Sequence, residues 1–397
     1  MTQTVFMKRS FTIAATSLFI ITGCVENKQS VNELIVVDVT KSYPEKELVL
    51  QDFMDVEYIP LETNEEFVTQ GKVMAIGTEV ILTTNWGNDG DLFVFDRKTG
   101  KGLRKINRKG QGGEEYTGIS EIILDETNNE IFVIPYAGSK ILVYDLSGNF
   151  KRGVQAADAH SYTNAFNYDR ENLICYVPDN SMEDSSNIAH PYYLIFSKQD
   201  GSITRKISIP LNMSEIKKPI AREGEDWAVA VPTAVHQLIP DHLNWALMDT
   251  SSDTLYHFLP SANVTIPFIV RTPSIHTMDR PEAFLMPSIF TDRYYFMKVL
   301  KAEFDFKAGR GFPSSVLMYD KTENALFTPK IYNGDYTNKK EVYIRRTLDH
   351  EFAIGQSLQA PQLVEAYEKG ELKGKLNEIA AQLEEESNPV IILAKHK

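Results

Sequence analysis

A strand-and-turn unit recurs along this chain at intervals too long for consecutive hairpin strands and too short for separate domains. Its clearest copies are Leu92-Phe93-Val94-Phe95-Asp96-Arg97-Lys98-Thr99-Gly100 and Ile141-Leu142-Val143-Tyr144-Asp145-Leu146-Ser147-Gly148. Weaker copies run from Tyr193 to Gly201 and from Val316 to Asn324, and Asp253-Thr254-Leu255-Tyr256-His257-Phe258 is a degenerate one. The anchors Asp96, Asp145, Ser197, Phe258 and Asp320 are separated by 49, 52, 61 and 62 residues, room for one four-stranded sheet per interval. An apolar run ending in Asp and a Gly or Asn turn is a hairpin element, because those residues accept the left-handed backbone a tight turn demands. One such sheet cannot bury both of its faces alone. Packed radially against copies of itself it can, so the period predicts propeller blades.

Five copies are visible, and the ends of the chain must supply the rest. Ile122–Asp125 and Glu130–Ile134 flank the turn formers 126–129, and with Ile141–Asp145 they predict three successive strands of one blade. The fourth is expected near Tyr162–Phe166 or in the segment entering the next unit. Near the start, Leu34–Val39 and Val56–Glu62 read as strands; near the end, Pro389–Ala394 does. A ring of sheets keeps two open edges unless a strand from one terminus completes a blade begun at the other. The C-terminal strand is therefore expected to pair with N-terminal strands. Before it, Pro361–Glu386 carries apolar residues at helical spacing, and Gly370 and Gly374 should divide it into two short helices. The expectation is an all-β, six-bladed propeller over residues 34–397, closed by its terminal strands, with a helical insert at 361–386.

The first residues read differently. Lys8 and Arg9 precede an uncharged apolar stretch from Phe11 to Ile21 that is too short to span a bilayer comfortably. Ile21-Thr22-Gly23-Cys24 follows and resembles the lipobox of bacterial lipoproteins, with Cys24 as the acylated new amino terminus. Residues 1–23 are thus expected to be a signal peptide and 24–33 a tether. The one other cysteine, Cys175, lies in the apolar run Leu173–Val177 and reads as an inert core thiol, without a disulfide partner once Cys24 is acylated. Residues 1–23 hold one Lys, one Arg and no acid, so their removal takes the net charge from −13 to −15. So acidic a protein is a poor partner for nucleic acid or anionic headgroups.

Taken together, Val56–Thr63, Arg108–Tyr116 with its Gly110-Gln111-Gly112-Gly113 stretch, Ile141–Phe150 and Leu376–Leu393 resemble the six-bladed β-propeller lipoproteins of Bacteroidetes, distant relatives of NHL-repeat proteins. The resemblance implies fold and export to the cell envelope as an outer-membrane lipoprotein, and it brings no assigned activity. Residues 154–192 and 212–250 depart from it, with weak blade signals.

Signatures of chemistry are scarce. The Gly-rich stretch has no Lys-Ser or Lys-Thr behind it and reads as an interblade turn, not a phosphate cradle. Asn85, Asp89, Gly90, Asp91 and Asp96 fit a calcium loop loosely, and a polar hairpin loop is the better reading. His236 and His242 are neighbours in sequence, but Pro240 between them breaks any helix that could align them for zinc. Propellers bind where blade loops converge on the axis, so loop aromatics and arginines are the candidate ligand residues: Asn85, Trp86, Tyr136, His160, Tyr162, His190, Trp227, Arg271, Arg280 and Arg310. The expected function is non-enzymatic capture of a glycan, a peptide or an outer-membrane protein partner by a lipid-anchored monomer. The alternatives are a propeller lyase or hydrolase with a metal or acidic site in the channel, and a docking scaffold or sensor.

Overall fold

The structure, a computed structural model, describes residues 34–397 apart from 137–139, 158, 160, 179–190, 212–216, 224–227, 231, 233–234, 279–281 and 345–346. Cys24 and the segments before and after it, 1–23 and 24–33, lie outside the described residues.

Six sheets succeed one another along the chain. Blade 1 is Lys72–Ile76, Val80–Thr84, Asp91–Asp96 and Gly102–Asn107; blade 2 is Ile119–Asp125, Glu130–Pro135, Ile141–Asp145 and Phe150–Val154. Blade 3 is Thr163–Asn167, Asn172–Val177, Tyr192–Ser197 and Ile203–Ile207. Blade 4 runs Leu238–Asp241, Asn244–Leu247, Thr254–Leu259 and Val264–Thr272; blade 5 runs Ala283–Phe290, Tyr294–Lys301, Ser314–Asp320 and Ala325–Tyr332. Blade 6 joins Phe352–Leu358, Val390–His396 and Met54–Pro60.

The repeat anchors all fall in the third strand of a blade. Central strands such as Leu92–Phe95 are buried on both faces, which is why they read as unbroken apolar runs instead of alternating ones. The turns that follow are held by the anchor itself: the Asp96 carboxylate accepts from Thr99 N at 2.8 Å and Lys98 N at 3.2 Å. Gly100 closes that turn at φ +71°, and a Cβ there would stand 1.9 Å from Pro60 O of blade 6. Only glycine allows blades 1 and 6 to come so close.

The core is distributed around the ring. One apolar cluster lies between each pair of neighbouring blades; Phe132, Val143, Leu173 and Phe196, for example, join blades 2 and 3, and Ile81, Phe93, Ile391 and Leu393 join blades 6 and 1. Cys175 sits fully buried in the first of these, and burial pushes its thiol pKa well up, which leaves it an inert core residue.

The ends of the chain close the ring as the strand arithmetic requires. Val390–His396 pairs antiparallel with Met54–Pro60 on one side and with Phe352–Leu358 on the other. The first strand takes another place: Ile35–Asp38 adds in parallel to the outer edge of blade 4, and Glu45–Val49 adds in parallel to blade 5. Residues 34–60 thus form a strap along the outside of blades 4, 5 and 6 before the chain enters blade 1. Lys46 fastens it, donating to Asp320 Oδ2 at 2.7 Å. Burial alone would raise the Asp320 carboxyl, but hydrogen bonds from Arg293 and Lys46 outweigh it and hold the group well below the usual carboxylate range.

Two other expectations are refined. The fourth strand of blade 2 is Phe150–Val154, and Thr163–Asn167 opens blade 3, because the Asp145–Asn149 turn reverses the chain at once. The insert forms α1 (Ala360–Glu368) and α2 (Gly374–Ala380), with Gly370 at φ +67° between them and Gly374 at φ +59°. Their buried Leu363, Leu376 and Ile379 pack on Val390, the first residue of the closing strand.

Candidate functional site

Blades that converge on an axis leave a cavity where their first strands begin. Here it has a volume of about 1260 Å³, and residues of all six blades line it. Blade 1 contributes Lys72, Val73 and Met74; blade 2 Ser120 and Glu121; blade 3 Thr163, Asn164 and Tyr176; blade 4 Asp249 to Ser251; blade 5 Lys298; blade 6 Gly355 to Ser357. The loops between second and third strands open onto the same funnel, with Trp86 from blade 1 and Tyr136 from blade 2.

The wall is built by one blade holding the next. Glu121 of blade 2 accepts from Asn164 N and Ala165 N of blade 3, both at 3.0 Å. Asn164 takes the left-handed backbone at φ +49°, tolerable for asparagine, and its Oδ1 accepts from Gln237 N at 2.8 Å. Its Nδ2 lies 3.4 Å from His236 Nδ1. The buried Asp249 carboxylate accepts from Tyr176 Oη at 2.6 Å and from Ser251 N at 2.8 Å. Glu121 and Asp249 therefore serve as acceptors for the fold.

The Trp86 loop is held by hydrogen bonds although Trp86 is 57% exposed. Gln70 Oε1 accepts from Trp86 N at 2.7 Å, Asn85 Oδ1 accepts from Gln70 N at 2.8 Å, and Asn85 Nδ2 donates to Asp89 Oδ2 at 2.7 Å. At the loop's end Asn88 Oδ1 accepts from Ile119 N of blade 2 at 3.2 Å. Tyr136, 62% exposed, stands on the adjoining loop, and a Cβ on Gly118 would touch both Asn88 and Tyr136. The Lys72 ammonium lies 5.4 Å from the Trp86 ring centroid, within cation–π range. The result is a pair of exposed aromatics on adjoining loops with a cation against one of them.

Of the residues singled out in sequence, Asn85, Trp86 and Tyr136 come together at this rim. The structure buries Tyr162, whose ring stacks on Phe196 and whose hydroxyl accepts from Ala156 N at 2.8 Å. It also buries Arg271, which donates to Ala283 O at 2.6 Å between blades 4 and 5. Burial takes both off the rim. Arg310 is exposed in a small hairpin, Phe304–Asp305 with Arg310–Gly311, on the loop between the second and third strands of blade 5, and is not part of the cavity lining. His160, His190, Trp227 and Arg280 lie outside the described residues. Lys72, Glu121, Asn164, Asp249 and Lys298 were not foreseen; a lone charge inside an apolar strand, as in Phe296-Met297-Lys298-Val299-Leu300, was the available signal.

The other motifs resolve as local structure. Gly110 to Gly113 is the turn from blade 1 to blade 2, with Glu115 accepting from Gly112 N at 2.8 Å. Asn85 to Asp91 is a hairpin loop; Asp96 lies at the other end of the strand Asp91–Asp96 and serves the next turn. His236 and His242 flank the strand Leu238–Asp241, one at the funnel and one at the far end. At that far end Trp245 of blade 4 meets His350 (ring centroids 4.5 Å apart) and Phe166 of blade 3 (5.6 Å). Among the described residues no group of three His, Cys, Asp or Glu is placed to share a metal, and no helix is long and apolar enough to cross a membrane.

This geometry agrees with comparison to known proteins. The family model DUF5128, described as a 6-bladed beta-propeller, matches residues 25–355. The chain belongs to the DUF5128 family. Among solved structures, this DUF5128 propeller is similar to a Bacteroides fragilis protein thought to be exported, with a TM-score of 0.61 and 15% identity over 92% of this chain and 100% of the other. A DUF4221 family member from Bacteroides vulgatus also matches, with a TM-score of 0.43 and 9% identity over 87% and 97% of the two chains. No curated protein gives a significant match. At such identities the likeness speaks for the fold alone, so what a DUF5128 propeller binds must be argued from its own residues.

Proposed function

We propose that this protein is a lipid-anchored capture module of the cell envelope, which binds its ligand in the six-blade funnel without turning it over. The observation that carries the reading is the pair of exposed aromatics, Trp86 and Tyr136, held on adjoining loops over a cavity of about 1260 Å³. Exposed aromatic faces with a fixed backbone bind at little ordering cost, because the platform is already in place. Glu121 and Asp249, which line the cavity, already accept hydrogen bonds from the fold, a positioning role rather than that of a poised acid and base. A screen of immobilised glycans and peptides tests the idea. A ligand retained by the wild type and lost in Trp86→Ala with Tyr136→Ala supports it; a ligand indifferent to both, or one that emerges chemically altered, overturns it.

The anchor rests on Ile21-Thr22-Gly23-Cys24 behind an apolar stretch, as in the NHL-like propeller lipoproteins that the sequence resembles. Ten residues from Cys24 to Glu33 reach at most about 35 Å, enough for a monomeric propeller to stand clear of the headgroups. Cys24→Ser is expected to abolish palmitate labelling and release the protein from the membrane fraction. Labelling that survives the substitution would place the anchor elsewhere.

A further inference from the structure

We propose that the funnel ligand is an uncharged oligosaccharide, held at the rim by the ring faces of Trp86 and Tyr136 and by hydrogen bonds from the side-chain amides of Gln70 and Asn88. This rests on the capture reading and names the ligand class for the same site.

Three observations converge. The first is what the Trp86 loop offers. Gln70 Oε1 accepts from Trp86 N at 2.7 Å, and Asn88 Oδ1 accepts from Ile119 N at 3.2 Å. A backbone N–H can only donate, so it fixes which end of each amide faces it and turns the NH2 group away. Gln70 Nε2 and Asn88 Nδ2 then have no partner among the described residues. A Cβ on Gly118 would stand 2.3 Å from Asn88 Nδ2 and 2.9 Å from Tyr136 Cδ2, so glycine there lets this donor and the Tyr136 ring lie side by side. Two oriented donors accompany two aromatics that are 57% and 62% exposed. That set matches a pyranose, whose flat C–H face packs on an aromatic ring while its hydroxyl oxygens accept at the edge.

The second observation is what the loop withholds. A peptide binds by pairing its backbone with an open strand edge or by laying an apolar face into a groove. Four backbone donors at this rim are already taken by side chains: Asn85 Oδ1 holds Gln70 N, Gln70 Oε1 holds Trp86 N, Asp89 Oδ1 holds Asp91 N and Asn88 Oδ1 holds Ile119 N. The loop thus offers side-chain faces and amides in place of a backbone edge. A cationic ligand finds the Trp86 ring engaged, since the Lys72 ammonium stands 5.4 Å from its centroid. An anionic one has to approach a chain of formal charge −13. An uncharged ligand meets neither obstacle.

The third observation is size. A cavity of about 1260 Å³ exceeds the range of roughly 300–1,000 Å³ that suits a compact small molecule. It has room for several linked sugars, so that one ring can sit on an aromatic at the rim while its neighbours reach the polar wall at Asn164, Gln356 and Ser357.

Calorimetry on the full-length protein, in a detergent without a sugar headgroup, tests this with five probes: cellohexaose, xylohexaose, mannohexaose, anionic tetragalacturonate and an end-blocked hexapeptide of alternating serine and tyrosine. The expected result is binding of at least one neutral saccharide about tenfold or more tighter than tetragalacturonate or the peptide. Its affinity should change less than about twofold between about 0.05 M and about 0.5 M salt, because no charge pair forms. Trp86→Ala should weaken binding at least about tenfold. Gln70→Glu with Asn88→Asp keeps each oxygen that holds the loop and replaces each donor, and should weaken binding about fivefold or more while the melting temperature holds. Equal or tighter binding of tetragalacturonate or the peptide, an affinity that collapses with salt, or indifference to Trp86→Ala or to the paired amide change would each overturn the proposal. If all five probes fail while the wider screen yields a ligand that needs Trp86, the neutral-sugar assignment falls and capture in the funnel stands; if that screen fails as well, both fall.

Discussion

The side chain of Asn388 makes three hydrogen bonds to backbone groups of the segment that leads from blade 6 into blade 1. Its Oδ1 accepts from Thr69 N at 2.9 Å, and its Nδ2 donates to Glu62 O and Phe67 O, both at 2.6 Å. It is 4% exposed, so these groups have no water to fall back on. Asn388→Asp would set a carboxylate against two carbonyl oxygens. We expect a loss of about 2–4 kcal/mol in urea unfolding, and an unchanged midpoint would show that the clamp does not hold the closure. Nothing in the sequence marks this asparagine, since its partners are more than three hundred positions away. The same is true of Glu121 and Asn164, whose roles depend on which blade stands beside them. Trp86 and Tyr136 were legible because a large aromatic residue in a polar turn is conspicuous.

At the level of elements, the closing strand Val390–His396 carries a titrating group at its end. Burial, reinforced by the neighbouring His242, pushes the His396 imidazole down to about 4; Asp292 and Asp241 oppose the shift and His350 adds to it. A base whose folded pKa lies below its ordinary value of 6.5 is neutral in the fold and protonated first in the unfolded chain. Its contribution is therefore intact above pH 6.5 and declines as pH falls from 6.5 toward 4. With partial exposure discounted, that decline should be on the order of 2 kcal/mol. Stability measured against pH should fall less steeply across this window in His396→Leu than in the wild type; parallel curves would exclude His396 as the cause. The helical insert was visible in sequence from its spacing and its two glycines, and so were the third strands of most blades. The opening strand of blade 3 was visible near Tyr162–Phe166 but not its blade, and that of blade 4 was not visible, because Leu238–Asp241 is short and pairing with its neighbour makes it a strand.

Over the whole molecule, the ring depends on chain ends that meet. Deleting residues 389–397 removes the middle strand of blade 6 and leaves its two partners unpaired. We expect loss of cooperative unfolding in calorimetry, and a truncated chain that still melts in one sharp transition would contradict this account of closure. Deleting residues 34–49 is a milder change, since blades 4 and 5 keep four strands each. It should leave a folded ring with exposed sheet edges, seen as a lower melting temperature and self-association in light scattering. Sequence by itself determined the blade period, the turn chemistry, the helical insert and the closing of the ring by its termini, because each follows from local periodicity or from the rule that sheet edges must be covered. The strap around blades 4 to 6, the pairing of the last strand with Met54–Pro60 instead of Ile35–Asp38, and the lysine-bearing funnel were decided only in three dimensions. Such contacts join residues tens to hundreds of positions apart, and which of them forms depends on the packing of all six blades at once.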